Sequence, residues 1–258
     1  MLLAIDIGNS SVSIGLFSGE SMVGCLRIPA HPAKHVDFYR EKINNLLSKR
    51  HVKKSLNGVI ISSVVPELTG LLKDSVNALS SREPVTVSAS LLSGLNFDVP
   101  APEEIGTDRI ANVIAAMHIY GAPVLVIDFG TATTLSAARD KSFIGGAILP
   151  GLELMGESLQ RGTSRLPYVD ISCLRDQKYR TQAVGKETNK GIISGIIYGT
   201  AGGVERVIEE MEKEEKCRFK VAITGGYSGI MTQYLRREHS VDPDLTLKGL
   251  NLIHKRYV

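Results

Sequence analysis

Two carboxylates occupy the same local pattern at widely separated points of the chain. The first lies in Leu2-Leu3-Ala4-Ile5-Asp6-Ile7-Gly8-Asn9-Ser10-Ser11, and the second lies 122 positions later (128 minus 6) in Val124-Leu125-Val126-Ile127-Asp128-Phe129-Gly130-Thr131-Ala132-Thr133. Each copy is an apolar run followed by an aspartate, one apolar residue, a glycine and small hydroxyl or amide side chains. Glycine lets the backbone approach a phosphate closely, and a carboxylate beside phosphates requires a hard cation between them. The repeat predicts two turns that hold a phosphate and its metal ion.

One copy of this pattern would be weak evidence, because Asp-x-Gly ends many strands as a simple turn in which the aspartate bonds to the backbone. The likeness continues beyond the turns, since residues 22–28 align with residues 144–150 at the same offset. Two copies followed by matching segments favour a phosphate site over two unrelated turns.

Two further patterns carry polar groups next to glycine. Thr224-Gly225-Gly226 could present its backbone to a nucleotide at a helix N-terminus, or it could be only a tight strand-to-helix connection. In Gly106-Thr107-Asp108-Arg109, the aspartate could be a helix cap and the arginine a surface charge. The functional interpretation is that Asp108 accepts a proton from an attacking hydroxyl while Arg109 binds an anionic group, as suits phosphoryl transfer.

The elements around these turns follow the order βββαβαβ in the first half of the chain. Apolar runs and alternation predict strands over residues 2–7, 12–17, 21–28, 58–64 and 84–88, with helices over 37–49 and from Pro66 onward. Residues 90–107 are irregular, and a helix follows from Thr107 or Asp108 to Tyr120. The second half predicts strands over 124–128, 133–138, 142–149 and 221–224, helices over 152–159 and 188–213, an irregular loop over a site at 163–184, and a closing strand and helix over 241–258.

This order predicts an α/β protein made of two duplicated ribonuclease-H-like domains, each a mixed sheet flanked by helices. The predicted domains are residues 1–120 and 121–258, with the active site in the cleft between them.

Composition narrows the class of function. The 258 residues are 43% hydrophobic and 22% charged with a net charge of +3, which is too small to indicate nucleic acid or an anionic membrane as a partner. No apolar run approaches the roughly 18 residues that span a bilayer, and no basic export signal opens the chain. Cys25, Cys173 and Cys217 lack the spacing of a zinc site or a disulfide framework. These features predict a cytoplasmic protein.

Taken together, the motifs resemble those of type III pantothenate kinases. The resemblance rests on Asp6-Ile7-Gly8-Asn9-Ser10, Gly106-Thr107-Asp108-Arg109, Asp128-Phe129-Gly130-Thr131-Ala132-Thr133, Gly145-Gly146-Ala147-Ile148-Leu149-Pro150-Gly151, Gly185-Lys186-Glu187-Thr188 and Thr224-Gly225-Gly226, and it is collinear over essentially the whole chain. This family belongs to the superfamily of acetate and sugar kinases, heat-shock ATPases and actin. The resemblance implies phosphorylation of pantothenate with ATP, the first step of coenzyme A biosynthesis, by a homodimer that needs Mg²⁺ and a monovalent cation, K⁺ or NH₄⁺.

The resemblance also implies roles for individual residues, motif by motif. Asp108 becomes the catalytic proton acceptor, Asp128 the ligand of the monovalent cation, and Asp6 the carboxylate near Mg²⁺ through the phosphates. The implied ATP-binding residues are Asp6, Ile7, Gly8, Asn9, Ser10, Ser11, Val12, Ser13 and Thr131. The implied pantothenate-binding residues are Val99, Gly106, Thr107, Asp108, Arg109 and Thr188, the last from the dimer interface.

Two positions depart from the family pattern. Ser10 stands where threonine is common and keeps the hydroxyl, whereas Val99 stands where many members have a tyrosine. The missing phenol leaves two alternatives open, a non-catalytic regulator on the same fold and a kinase for another small hydroxylated acid. A ribonuclease-like nuclease would need its acids clustered on one sheet, and here they are split between the two halves of the chain.

Overall fold

The computed structural model describes residues 1–49, 56–77, 79–80, 82–92, 94–176 and 179–257. The strands are β1 (Leu2–Ile7), β2 (Ser11–Ser18), β3 (Ser21–Pro29), β4 (Gly58–Ser63), β5 (Val85–Thr86), β6 (Asn96–Phe97), β7 (Val124–Phe129), β8 (Ala132–Arg139), β9 (Ser142–Pro150), β10 (Lys220–Thr224) and β11 (Ser240–Val241). The helices are α1 (Val36–Lys49), α2 (Pro66–Val76), α3 (Thr107–Tyr120), α4 (Leu152–Gly162), α5 (Thr188–Glu215), α6 (Ser228–Met231) and α7 (Leu245–Tyr257).

Contacts between Cα atoms divide the chain into two compact units. The first comprises Met1–Ile119, Lys141–Phe143 and Asp244–Val258, and the second comprises Tyr120–Asp140 and Ile144–Pro243. The final helix, α7, thus groups with the first unit. The predicted division into residues 1–120 and 121–258 describes the duplicated halves of the sequence and stays a prediction.

The first unit is built on a sheet with the strand order β3-β2-β1-β4-β5. The first three strands are antiparallel, as predicted, and β4 joins β1 in parallel. The central strand β1 is apolar except at Asp6, and β4 is apolar up to Ser62, because both strands are buried on both faces. On one face, Leu3, Ile5 and Ile7 pack into a core with α1 and α2. Residues of the opposite parity, including Asp6, therefore face the other side of the sheet.

The second unit repeats this topology. Its sheet contains the run β11-β10-β7-β8-β9, which matches β5-β4-β1-β2-β3 strand for strand. The strand β7 pairs antiparallel with β8 and parallel with β10, and α5 packs its apolar residues against them in the second core. The predicted fold, an α/β protein with duplicated ribonuclease-H-like domains, is confirmed.

The two copies differ by one residue at their glycine turns. Asp6 lies opposite Ser13 in the β1–β2 ladder, seven residues on, whereas Asp128 lies opposite Thr134 in the β7–β8 ladder, six residues on. Three residues connect β1 to β2, and two connect β7 to β8. The offset of 122 positions therefore holds up to the turns. After the turns, β2 and β3 match β8 and β9 at an offset of 121 positions (132 minus 11).

Three local features differ from the predicted elements. The strand β5 is limited to Val85–Thr86, and the segment predicted as irregular after it contains β6, which pairs with Ser142 and Phe143. The predicted loop at 163–184 contains a turn of 3₁₀-helix over Ile171–Arg175, whose Ile171 and Leu174 are buried in the second core. Residues 177–178 of that loop lie outside the described residues.

Candidate active site

The first glycine turn is closed by a backbone hydrogen bond. The Gly8 N–H donates to the Ser11 carbonyl over 3.0 Å. Asn9, Ser10 and Ser11 are exposed in this turn, so their polar groups are accessible to a ligand. The side chains of Ile7 and Val12 are fully buried in the core of the first unit. Of the predicted ATP-binding residues, these two can therefore contribute only backbone groups.

The Asp6 carboxylate lies on the face of the sheet opposite to the α1–α2 core, at the end of β1. Its neighbour in the parallel register is Ser62, at the end of β4. The Ser62 hydroxyl donates a hydrogen bond to Asp6 Oδ1 over 3.0 Å, and it also lies 3.0 Å from the Thr107 hydroxyl. The Ser63 N–H donates to the same Thr107 oxygen over 3.2 Å. The first glycine turn is thus joined through Ser62 to the first residue of α3.

The start of α3 places Asp108 in the first turn of the helix. The Gly106 carbonyl accepts the N–H groups of Arg109 and Ile110, over 3.0 and 3.2 Å. A Cβ on Gly106 would lie only 2.5 Å from Asp108 Oδ1. Glycine is therefore required at position 106 for the Asp108 carboxylate to fold back over the helix start.

Burial governs the titration of the Asp108 carboxyl. It raises the pKa of Asp108 above its ordinary value, and the backbone N–H and guanidinium of Arg109 offset this only in part. A helix N-terminus and an adjacent cation would by themselves stabilise the carboxylate form. The upward direction therefore shows that loss of hydration is the larger effect. A raised pKa makes the Asp108 carboxylate a stronger proton acceptor than a solvated aspartate.

The Arg109 guanidinium is held over an aromatic ring. Its Cζ atom lies 5.6 Å from the centroid of Phe143, which is within the range of a cation–π contact. The Phe143 ring is buried beside Phe97, with ring centroids 6.3 Å apart. The Asp98 N–H donates to the Phe143 carbonyl over 2.9 Å, and half-buried Val99 follows in the chain. Phe143 of β9 thus supports Arg109, and β6, which pairs with it, leads into the predicted substrate residue Val99.

In the second unit, three glycines allow close packing around the turn that follows Asp128. A Cβ on Gly225, whose φ is +97°, would lie 2.5 Å from Asp128 Oδ1 and equally close to the Phe129 backbone, and a Cβ on Gly130 would lie 3.1 Å from the same oxygen. A Cβ on Gly151 would overlap the Thr131 carbonyl and lie 2.6 Å from the Gly130 carbonyl. The β10–α6 connection therefore approaches the Asp128 carboxylate closely, and the β9–α4 connection approaches the carbonyls of the turn.

Other predicted residues of the second unit have different environments. Thr131 is half-buried in the turn, and Thr188 is exposed as the first residue of α5. Thr133 is fully buried on the same side of β8 as Leu135 and Ala137, and its hydroxyl has no hydrogen-bond partner among the described atoms. Thr133 is therefore not an accessible ligand donor, although its sequence motif suggested that role.

The contacts of Tyr227 hold the glycine turn that precedes α6. The Tyr227 hydroxyl donates to Glu153 of α4, and Arg175 donates to the same carboxylate over 3.0 Å. The guanidinium of Arg175 also lies 5.0 Å from the centre of the Tyr227 ring. The Tyr227 N–H donates to the Phe129 carbonyl over 3.1 Å. These contacts fix the Gly225 turn against the end of β7.

Sequence reasoning missed two parts of the site. The pattern over residues 58–64 predicts only a strand with a polar end, and it does not single out Ser62. A hydroxyl at the end of a strand that runs parallel to β1 is the signal that would predict a contact with Asp6. The β6 segment was missed because it is only two residues long, yet Leu95, Phe97 and Val99 alternate with Asn96 and Asp98 as a strand would.

The described part of the chain has neither a cluster of metal-ligating side chains nor a helix that could span a membrane. No group of three or more His, Cys, Asp or Glu side chains there is arranged as a metal site. None of the helices described is long and apolar enough to cross a membrane.

Comparison with known proteins defines the family. The family model for type III pantothenate kinase matches residues 2–210. Type III pantothenate kinases from Agathobacter rectalis and Moorella thermoacetica are each 34% identical to this chain. The alignments cover 99% of this chain in both cases, and 97% and 99% of the respective relatives. The chain belongs to the type III pantothenate kinase family.

A solved structure supports the fold alone. It is that of a Baf family transcriptional activator from Campylobacter jejuni, which is 20% identical with a TM-score of 0.61. The match covers 98% of this chain and 97% of that chain.

The raised pKa of Asp108 leads to a prediction about stability. A group whose pKa is raised by folding stabilises the protein below its ordinary pKa, about 3.9 for aspartate, and this contribution is lost as the pH rises through the raised value. At neutral pH the fold therefore carries a buried charge, and Asp108→Asn should be more stable than wild type. The difference in free energy of unfolding between Asp108→Asn and wild type should shrink as the pH falls from neutral to about 4. Urea unfolding of both proteins at neutral pH and at about pH 4 measures this difference.

The matched control is Asp37→Asn, since Asp37 also lies in the first turn of a helix but is exposed. A gap for Asp108→Asn that is independent of pH, or a variant less stable than wild type at neutral pH, would contradict burial as the cause.

Proposed function

We propose that this protein transfers the γ-phosphoryl group of ATP to the hydroxyl of pantothenate, giving 4'-phosphopantothenate in the first step of coenzyme A biosynthesis. The observation that carries the proposal is the arrangement of Asp108 in a chain of the type III pantothenate kinase family. A half-buried carboxylate with a raised pKa lies at a helix start that is bonded through Thr107 and Ser62 to Asp6. This arrangement joins a proton acceptor to a phosphate-binding turn.

In the proposed reaction, the pantothenate hydroxyl oxygen attacks the γ-phosphorus and the bond from that phosphorus to the β–γ bridging oxygen breaks. Asp108 accepts the hydroxyl proton, and ADP leaves. Arg109 binds the pantothenate carboxylate, since a guanidinium supplies paired donors to an anion. Gly106 and Thr107 complete this wall of the pocket, and Val99 contributes apolar surface in place of a phenol.

The turn of residues 6–13 binds the ATP phosphates in this proposal. Gly8 and the exposed Asn9, Ser10 and Ser11 supply N–H, amide and hydroxyl donors, Ser13 adds a half-buried hydroxyl, and Ile7 and Val12 act through their backbone. Asp6 is the carboxylate that would hold Mg²⁺ through the phosphates, and the ion would supply neutralisation of the phosphate charge. The Asp6 carboxylate already accepts the Ser62 hydroxyl at one oxygen, which fixes its orientation.

Asp128 is the proposed ligand of the monovalent cation. Hard cations prefer oxygen ligands, and the Asp128 carboxylate folds back over its own turn, since a Cβ on Gly130 would lie 3.1 Å from Asp128 Oδ1. Thr131 contacts ATP in this proposal, and Thr188 reaches pantothenate from the exposed start of α5.

A kinase for another small hydroxylated acid is the second candidate, and Val99 is the observation that favours it. A non-catalytic regulator is disfavoured by the half-buried Asp108 and its raised pKa, because an aspartate with no chemical role has no need of a position of reduced hydration. We also infer that the protein works in the cytoplasm, which is in keeping with Cys25, Cys173 and Cys217 being outside any disulfide and which cell fractionation would test.

We infer that the protein is a homodimer that pairs through the glycine face of α5, formed by Gly191, Gly195, Gly199 and Gly202. These residues share one side of the helix, all are exposed, and no described atom lies within 4 Å of a Cβ built on any of them. Val184 and Tyr198 add apolar surface beside it, with 74% and 42% exposure. A helix face without side chains allows a second copy to approach closely, and exposed apolar groups favour its burial.

Asp108→Asn tests the proposed reaction. Purified wild-type protein with ATP, Mg²⁺ and K⁺ should phosphorylate pantothenate, whereas Asp108→Asn should lower kcat by at least ~10² because the proton acceptor is lost. Nucleotide binding should be largely retained, and Asp37→Asn serves as the control with wild-type turnover. Wild-type turnover by Asp108→Asn would remove Asp108 as the base. Turnover of a different hydroxy acid but not pantothenate would favour the second candidate.

The cation proposal predicts the behaviour of Asp128→Asn. Wild-type turnover should rise with added K⁺ or NH₄⁺ and saturate, and Asp128→Asn should need about tenfold more cation, or lose the response, because a charged ligand is gone. Titration of activity with each cation measures this. Asp140→Asn is the control, since it removes a carboxylate of the same unit from an exposed turn where asparagine is equally suited to the positive φ. An unchanged cation response in Asp128→Asn would place the ion elsewhere.

The dimer proposal predicts the effect of a large charged residue on the glycine face of α5. Light scattering should give twice the chain mass of 27.9 kDa for wild type, and Gly195→Arg should give the mass of one chain. Gly70→Arg is the control, because Gly70 is also an exposed helical glycine with open space around it. A dimeric Gly195→Arg protein would exclude this face as the interface.

A further inference from the structure

A buried serine connects the two functional parts of the first unit. The Ser62 side chain is fully buried, and its hydroxyl lies 3.0 Å from both Asp6 Oδ1 and Thr107 Oγ1. Serine and threonine hydroxyls each donate one hydrogen bond and accept others, while an ionised carboxylate only accepts. The single Ser62 proton therefore points to Asp6. It follows that the Thr107 hydroxyl donates to Ser62, and it accepts the N–H of Ser63.

This chain of hydrogen bonds has one direction, from Thr107 through Ser62 to the Asp6 carboxylate. The Thr107 hydroxyl therefore donates its only proton to Ser62, within the protein. Thr107 consequently does not donate its side-chain proton to a substrate, although it belongs to the proposed pantothenate pocket. Its side chain instead ties the first turn of α3, and with it Asp108, to the residue that faces the nucleotide.

We propose that Ser62 is a positioning residue for phosphoryl transfer, which holds the start of α3 in register with the Asp6 carboxylate so that the proton acceptor and the phosphate-binding turn keep a fixed geometry. This inference rests on the proposed function and deepens it. Ser62 touches neither substrate in this proposal, and it acts through Asp6 on one side and through Thr107 on the other.

A purely structural serine is available for comparison in the same unit. Ser75 is also fully buried, and its hydroxyl shares its one proton between the backbone carbonyls of Leu71 and Val36, which lie 2.7 and 3.1 Å away. Neither of these partners is a side chain of the site. Ser75→Ala therefore matches Ser62→Ala in chemistry and burial, and it reports what the loss of a buried hydroxyl does by itself.

The decisive experiment combines steady-state kinetics with a double-mutant cycle on the purified full-length chain. Ser62→Ala should lower kcat about tenfold, because a hydrogen bond to a charged group is lost, with the KM for pantothenate changed less than about threefold. Ser75→Ala should stay within about twofold of wild type. Thr107→Val removes the next hydroxyl of the chain, and the double variant Ser62→Ala/Thr107→Val should be no slower than Thr107→Val alone, since both changes break one connection. Should Ser62→Ala fail to fold, Ser62→Cys keeps the volume and replaces the hydroxyl by a weak donor.

Two outcomes would overturn the proposal. One is a Ser62→Ala protein with the same kcat as Ser75→Ala, and the other is a double variant whose losses multiply, which would show that Ser62 acts independently of Thr107.

A binding measurement separates this proposal from the proposed function. Calorimetric titration with ADP, with and without Mg²⁺, needs no turnover. If wild type fails to phosphorylate pantothenate, the proposed function falls, and a Mg²⁺-dependent ADP affinity that is about fivefold weaker in Ser62→Ala than in Ser75→Ala would still support the link to Asp6. Equal affinities in that case would overturn it.

Discussion

The site of the first unit depends on the parallel register between β1 and β4. That register places Asp6 beside Ser62, and alternation along each strand turns both side chains away from the core formed with α1 and α2. Ile5, Ile7 and Ile61 face that core from the same two strands. A shift of either strand by one residue would move a polar group into the apolar core and an isoleucine out of it. Burial of the isoleucines therefore determines where the carboxylate lies.

The duplication supplies two similar ladders, and the turns after them have diverged. The longer first turn exposes Asn9, Ser10 and Ser11, which leaves donors available to an anionic ligand. The shorter second turn is approached closely by the backbones at Gly225 and Gly151, of which the first lies against the Asp128 carboxylate and the second against the carbonyls of the turn. Donors suit phosphates, and oxygen acceptors suit a cation. One residue of loop length thus separates two chemical environments built on the same sheet topology.

The strands, the long helices and the duplicated topology were predictable from the sequence because each has a strong periodic signal. The short strand β6 was not, since its alternation extends over only five residues and its partners Ser142 and Phe143 are distant in the chain. The same holds for α7, which follows the second half in sequence but packs with β1, β2 and β4 of the first unit.

Among the candidate site residues, the motifs indicated Asp6, Asp108 and Asp128 but gave no direction for their side chains. The second motif also contains Thr133, which strand parity turns into the apolar core. Ser62 became recognisable only when the register of two parallel strands was known. Residue type and spacing therefore predict which groups are present, and the packing of the sheet decides which of them can meet.

The position of Asp108 shows how burial can outweigh an adjacent positive charge in setting the pKa of a carboxyl. An arginine follows it directly, and a close ion pair would hold the carboxyl pKa low and weaken it as a base. The Arg109 guanidinium lies over the Phe143 ring, and its charge lowers the pKa of Asp108 by less than burial raises it. Phe143, which is buried beside Phe97 of β6, thus supports the Arg109 side chain. The first turn of α3 therefore holds a carboxylate of reduced hydration, which Gly106 accommodates by lacking a side chain.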